Sequence, residues 1–333
     1  MSRGKTLVTG ATGHLGANLV RRLLADGEEV RVMLRGPDNG ALAGLDVERV
    51  EADLRDAEAV ARAVRGCARV HHCAALVSTI DGDARHRRQV YDTNVRGTRH
   101  ILEAALRHGA EKVVVSGSLS AVGHDPAQPS HEDMPFYPFE RQLPYGFSKH
   151  LVEHEVLRAH AEGLDAVVAT SCALIGPHDY VPSRLGRVLI DYAQGRMRAY
   201  IPGGFEFVSS HDMAEGHVLA MRKGRSGQRY IFSTAYASVD ELMGLYQEVT
   251  GRPPPRLRLP PAVMAALAEV ADKTWYRAFP HLPRRFTPAA VRLLTMKRRA
   301  DHGKAQRELG YAPTSLRQAV QDAYEDFRRR GKI

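Results

Sequence analysis

The chain is short of cysteine, of long apolar runs and of lysine, and each shortage closes off a class of protein. Its three cysteines, Cys67, Cys73 and Cys172, are an odd number without a CxxC pair. Neither a disulfide framework nor a zinc knuckle is expected, and the usage fits a reducing compartment. The longest apolar runs, such as Pro260 to Ala268, fall well short of the roughly 18 residues a membrane span needs, so no membrane partner is expected. Met1 to Lys5 leads straight into Thr6-Leu7-Val8-Thr9 with no room for the parts of a signal peptide, which predicts a cytoplasmic location. No GxSxG nucleophile elbow occurs, and hydrolase chemistry has no support. The bases are 39 Arg against 8 Lys, which reads as coding bias more than a nucleic-acid surface, so no nucleic-acid partner is expected.

What is present is ordinary globular material: 333 residues, 44% hydrophobic and 26% charged, enough for two lobes or one large α/β unit. The net charge of +9 is concentrated. From Arg252 to Arg299 there are 11 Lys or Arg against Glu269 and Asp272 alone, an excess equal to the whole net charge. A solvated basic face explains this; a field attracting an anionic substrate or cofactor is the sharper alternative.

Short β-branched runs at Thr6–Thr9, Val30–Leu34, Arg49–Glu51, Arg69–His72, Lys112–Ser116 and Ala166–Thr170 alternate with segments of helical apolar spacing, such as Leu15, Leu19 and Leu23. That alternation predicts an α/β fold, a doubly wound parallel sheet of the Rossmann kind. From about Ile175, Pro and Gly punctuation marks a smaller C-terminal substrate-binding lobe. The expected division is a dinucleotide-binding domain over 1–174, with 207–233 returning to it, and a substrate lobe over 175–206 and 234–333. Within the returning part, Gln228 to Ser233, Val208 and a helix from about Asp212 to Met221 are expected to rejoin the sheet.

Thr9-Gly10-Ala11-Thr12-Gly13-His14-Leu15-Gly16 sets three glycines at GxxGxxG spacing between the first strand and a helix. Gly10 permits the turn, Gly13 lets backbone approach a pyrophosphate, and Gly16 lets helix pack on strand. Thr12, His14 and Leu15 complete a loop that delivers an anion to a helix N-terminus. The second strand ends in Arg35, where an acidic residue would select NAD; an arginine pairs with a 2′-phosphate, so NADP(H) is preferred and NAD(H) remains possible through Asp38. Asp53 and Leu54 follow the third strand, where Asp53 would accept from the adenine amino group or else cap a helix.

Pro144-Tyr145-Gly146-Phe147-Ser148-Lys149 places a phenol and an ammonium four residues apart on one helical face. The ammonium is expected to favour the phenolate and lower the pKa of Tyr145 while also donating to a nicotinamide ribose, which puts Tyr145 and Lys149 among the expected cofactor-binding residues. Val113-Val114-Val115-Ser116-Gly117-Ser118 ends a strand in hydroxyls on the same sheet edge, and Ser118 would hold a substrate carbonyl near Tyr145.

Together, Thr9 to Gly16, Cys73-Ala74-Ala75, Asn94-Val95-Arg96-Gly97-Thr98, Ser118, and Tyr145 with Lys149 resemble the extended short-chain dehydrogenase/reductase superfamily. Within it the chain is similar to the dihydroflavonol reductase-like and NAD-dependent epimerase-dehydratase group. Its late Leu294-Thr295-Met296 and Glu308-Leu309-Gly310-Tyr311 are also similar to hopanoid-associated sugar epimerases. The resemblance implies an acid-base role for Tyr145, an electrostatic partner in Lys149, a carbonyl orienter in Ser118 and a site-organising residue in Asn94, with Ala74 and Ala75 beside the cofactor. Two departures stand out. Gly117 replaces the first of two adjacent serines, which keeps Ser116 and Ser120 open as alternatives to Ser118. Phe205 stands where sugar-nucleotide enzymes of this type carry an arginine that grips a substrate phosphate.

The expected function is an NADP(H)-dependent reductase or dehydrogenase acting on a carbonyl or alcohol of a largely apolar small molecule. Met134, Phe136, Tyr137 and Phe139, with His178, Tyr180 and Phe205, are expected near the substrate, although packing explains each aromatic singly. A sugar epimerase or dehydratase with tightly held NAD, and a dinucleotide-binding redox sensor, are the alternatives. A homodimer is expected. His71-His72-Cys73 alternate across a strand and cannot easily share one ion, and His150 with His154 lack a carboxylate motif, so no metal is expected.

Overall fold

The computed structural model describes residues 4–80, 82–136, 143–260, 262–264, 266 and 288–333. Six strands and their crossovers follow the predicted alternation: β1 (Lys5–Thr9), α1 (His14–Ala25), β2 (Val30–Leu34), β3 (Glu48–Glu51), α2 (Ala57–Val64) and β4 (Cys67–His72). They continue with α3 (Ala84–Tyr91), a π-turn at Asp92–Arg96, α4 (Gly97–His108), β5 (Lys112–Ser118), α5 (Pro144–Ala161) and β6 (Ala166–Ser171). Then come β7 (Ala173–Ile175), α6 (Arg184–Ala193), β8 (Ala199–Tyr200), β9 (Gly204–Ser209), α7 (Ser210–Lys223), β10 (Arg229–Phe232), β11 (Ala235–Ser238), α8 (Val239–Thr250) and β12 (Leu257–Arg258). The described chain ends with α9 (Pro288–Thr295), α10 (Gly303–Leu309) and α11 (Leu316–Arg329).

The main sheet has seven strands in the order β10-β6-β5-β4-β1-β2-β3, every pair parallel. The order of strand addition reverses between β1 and β4, and at such a switch point the connections leave the strands' carboxyl ends toward opposite faces and open a crevice. Both sheet faces are covered. Val113, Val115 and Val168 pack under α2, α4 and α5, while Val114, Val167 and Ala169 pack under α7 with Met213 and Ala220. Strands buried on both faces explain why β5 reads Val-Val-Val rather than alternating.

Val208 departs from expectation. It sits in β9, which pairs in parallel with β7 and antiparallel with β11 in a separate three-stranded sheet. Chain leaving the main sheet after Ser171 continues as β7 and gives β9 a nearer partner, so only β10 joins the main sheet, beside β6. α7 packs against β5, β6 and α1. The small sheet, α6, α8 and α11 share a second core around Phe207, Tyr246, Val320 and Phe327. Asp212, buried at the start of α7, accepts from Thr234 Oγ1 and from the Thr314 amide, tying the last helices to both cores. Among the described residues no helix is long and apolar enough to cross a membrane.

Candidate active site

The turn after β1 is built for backbone approach. Gly10 has φ +69°, and a Cβ there would lie 2.7 Å from the Ala74 amide. A Cβ on Gly16 would fall on the Gly10 carbonyl oxygen, so α1 can pack this closely only with glycine. Gly13 is the N-cap of α1, offers no side-chain cap, and is followed by no acidic residue in the first turn. The first-turn N–H groups are therefore left to an anion, and the loop fits a dinucleotide pyrophosphate. Ala74 is held against the loop by its amide donating to Thr9 Oγ1 at 3.2 Å, with half-buried Ala75 following. Leu15 packs inward on the core cluster around Val114, and Thr12 receives a hydrogen bond on its carbonyl from Asn39 Nδ2.

His14 turns toward the second half of the chain: its Nε2 donates to the Gly176 carbonyl at 3.2 Å, and burial pushes its pKa down. Asn18, one turn on, donates to the Pro177 carbonyl at 2.9 Å. Sequence reasoning passed over Asn18; a buried asparagine on the apolar face of α1 is the signal it carried.

Arg35 is exposed at the end of β2 and has no hydrogen-bond or ion-pair partner among the described residues. Asp38 is occupied, accepting from the Leu42 amide at 3.1 Å. Asp53 is gripped by Arg55 through both carboxylate oxygens, which holds its pKa down at about 2. The cap of α2 is Asp56 rather than Asp53, because Asp56 accepts from the Glu58 and Ala59 amides. Leu54 is buried beneath Gly97, where an added Cβ would come within 2.8 Å of it.

At the end of β5 the serines separate. Ser116 is buried and its hydroxyl lies 2.9 Å from His217 Nε2. Ser118 acts on the Tyr145 phenol, pulling its pKa down against burial, and its hydroxyl lies 2.8 Å from Ser120 Oγ. Gly117 is explained by space, since a Cβ would come within 2.7 Å of Val168 Cγ1. Ser120 also contacts the helix, standing 3.4 Å from where a Gly146 Cβ would be.

Tyr145 and Lys149 occupy successive turns at the start of α5, where Pro144 opens the helix. Lys149 is 4% exposed, and its Nζ donates to the Ser116 carbonyl at 2.7 Å. Burial pulls its pKa down to about 8, partly offset by Cys73 and Glu153. The expected lowering of Tyr145 is not observed. Burial pushes the phenol up to about 12, and the opposing influence is the Ser118 hydrogen bond rather than the ammonium, which is engaged with a carbonyl. Tyr145 therefore keeps its proton at physiological pH.

Asn94, buried in the π-turn, is bonded on both sides. Its Oδ1 accepts from the Leu76 amide at 2.7 Å, and its Nδ2 donates to the Leu76 carbonyl and to Ser148 Oγ at 2.9 Å. Ser148 in turn donates to the Tyr145 carbonyl at 2.7 Å. This chain of bonds sets the first turn of α5 against the loop after β4. Ser148 escaped sequence reasoning because a serine inside a helix normally faces water.

The residues expected around a substrate have protein partners of their own. His178 adopts φ +62° and its amide donates to Asp326, while the Tyr180 hydroxyl accepts from Arg21 and its ring lies under the Arg330 guanidinium at 4.7 Å. These contacts join α1 to α11 and include neither Ser118 nor Tyr145. Phe205 sits in β9 opposite Ala237, edge-on to Phe207 at 6.1 Å. Met134 packs with Leu119, Val122 and Ile231, and Phe136 stacks on His150 at 4.0 Å. Tyr137 and Phe139 lie outside the described residues. His72 Nδ1 is 2.7 Å from Thr9 Oγ1, whereas His71 Nδ1 faces His217, so the two rings diverge as alternation along a strand requires.

Comparison with known proteins adds three findings. Residues 6–232 match the model of the NAD dependent epimerase/dehydratase family. The chain is similar to sterol demethylase protein B of Methylococcus capsulatus, 44% identical over 98% of this chain and 99% of the relative, and to a putative dihydroflavonol 4-reductase of Synechocystis, 32% identical over 98% and 95%. The crystal structure of gox2253 superposes with a TM-score of 0.85 at 32% identity, covering 98% of this chain and 99% of that one.

Proposed function

From the premise that this chain belongs to the NAD dependent epimerase/dehydratase family, within the extended short-chain dehydrogenase/reductase superfamily, we propose that it is an NADP(H)-dependent reductase or dehydrogenase of a largely apolar, polycyclic ketone or alcohol. The observation that carries the reading is the gathering of a half-buried Tyr145 and a buried Lys149 on successive turns of α5, with the Lys149 Nζ donating to the Ser116 carbonyl at the end of β5, two residues before Ser118. A nicotinamide dinucleotide, when bound along the Gly10–Gly16 loop, supplies or accepts the hydride. Tyr145 gives its proton to the substrate oxygen as the carbonyl carbon is reduced, and takes it back in the oxidative direction. Ser118 and Ser120 present hydroxyls to that oxygen and orient it. Lys149, donating to the Ser116 carbonyl, ties the start of α5 to the end of β5, and Asn94 with Ser148 keeps the helical turn carrying Tyr145 and Lys149 in register.

Arg35 supports the phosphate-bearing cofactor, because it is an unpaired cation at the end of β2 while Asp38 is already engaged. Phe205, in place of a phosphate-gripping arginine, and the names of the two relatives, a sterol demethylase protein and a dihydroflavonol reductase, support an apolar ring system as substrate. The test is NADPH oxidation by purified protein across hydrophobic ketones, with Tyr145→Phe lowering kcat by about 10²–10⁴-fold and leaving dinucleotide affinity nearly unchanged. Micromolar binding of UDP- or dTDP-sugars with no response to any ketone would overturn this reading in favour of an epimerase or dehydratase.

A further inference from the structure

We infer that the basic face contributed by the described parts of 252–299 docks on the surface of an anionic phospholipid bilayer. The absence of a spanning run led the sequence reading to expect no membrane partner, but a surface contact needs no span.

Charge is the first observation. Outside 252–299 the chain holds 36 Lys or Arg and 36 Asp or Glu, so the remainder is neutral and the excess belongs to this stretch alone. Its described residues include seven bases, Arg252, Arg256, Arg258, Arg292, Lys297, Arg298 and Arg299, and no acid. Arg258 is held by Asp240 at 2.7 Å. The side chains of Arg256, Arg292 and Lys297 are exposed and have no hydrogen-bond or ion-pair partner among the described residues.

Packing is the second. Met264, Val291 and Ile201 form a small buried cluster with Leu259 and Leu294 against it, which brings the stretch after β12 alongside α9. With these residues turned inward, the same two segments leave Leu257 55%, Val263 48% and Leu293 36% exposed, Leu257 next to Arg256 and Leu293 next to Arg292 in sequence. Apolar side chains interleaved with unpaired cations match an anionic lipid surface, where the cations meet headgroups and the apolar groups enter the boundary beneath them.

Position is the third. Arg298 donates to the Val122 and Gly123 carbonyls at 2.6 Å, just after the turn carrying Ser118 and Ser120. The end of the basic stretch is thus tied to the segment that follows the serine turn, and a lipid-dissolved substrate would be delivered to the side of the protein that carries it. That route rests on the apolar substrate proposed above; the docking itself does not.

The test is co-sedimentation of the intact protein with vesicles of phosphatidylcholine alone and with roughly one-third phosphatidylglycerol. Binding is expected to the anionic vesicles and to weaken as salt rises. Arg256→Ala with Lys297→Ala should reduce partitioning roughly thirtyfold, and Leu257→Ser with Leu293→Ser roughly tenfold at unchanged charge. Unchanged dinucleotide affinity in both variants shows that they are folded. No binding to anionic vesicles at low salt, or binding that neither pair of substitutions weakens, overturns the proposal. Turnover of detergent-dispersed ketones separates the two readings: ketone reduction without vesicle binding sinks the docking surface alone, and vesicle binding without reduction of any ketone sinks the apolar-reductase reading and leaves docking supported.

Discussion

Replacing Lys149 by methionine should make the protein more stable while destroying its activity. Lys149 is 4% exposed, and its pKa falls from the usual 10.5 to about 8 because burial strips water from the ammonium. A fall of that size means that holding the charged form costs the folded state about 3 kcal/mol at neutral pH. Methionine of similar length removes this penalty but leaves the Ser116 carbonyl without its donor, which returns about 1 kcal/mol. The net expectation is a gain of about 2 kcal/mol near pH 7. Its pH dependence is the sharper signature. The folded form binds fewer protons than the unfolded chain between about 8 and 10.5, so the wild type regains stability as pH rises through that window and suffers the full penalty below it. Urea unfolding of both proteins at pH 7 and near pH 10.5 should show the methionine variant ahead at the lower pH and level or behind at the higher. A variant that is less stable at pH 7, or a gain unchanged across that window, would refute the assignment of Lys149 as a desolvated cation.

Three further outcomes follow from the same geometry. Arg35→Ala should reduce the NADPH-over-NADH ratio of kcat/KM by about 10–100-fold, corresponding to one lost charge-assisted phosphate contact; an enzyme that already favours NADH would remove the premise. Gly16→Ala sets a methyl group against the Gly10 carbonyl and should cost about 1–3 kcal/mol in thermal or urea unfolding as well as most dinucleotide affinity, measurable by fluorescence titration. His72 and His217 are pushed down to about 3 by burial, so the unfolded chain takes up protons first as pH falls below about 6.5. Stability should decline by roughly 1.4 kcal/mol per pH unit for each, and His217→Gln should make that acid slope shallower in urea melts between pH 7 and pH 4.

Local information in the chain determined the alternation of strands and helices, the glycine turn after β1 and the shared face of Tyr145 and Lys149. Each depends on residues within one or two turns of one another, where side-chain period and backbone freedom act directly. The parallel sheet followed, because alternating strands and helices leave few other ways to cover both faces. Tertiary structure decided what sequence distance hides. Ser116 and Ser118 are equivalent by position on β5, yet one hydroxyl meets His217 of α7, about a hundred residues on, and the other meets Ser120 in the turn that follows. Val208 carries a strand pattern that fits either sheet, and the nearness of β7 chose the smaller one. His178, Tyr180 and Phe205 have the chemistry of ligand contacts, but their partners lie on α1, α11 and β11, well over a hundred residues away for the first two. The protonation of Tyr145 belongs with these. Spacing brought an ammonium within one helical turn, and only burial, together with the Ser116 carbonyl that captures that ammonium, leaves the phenol neutral.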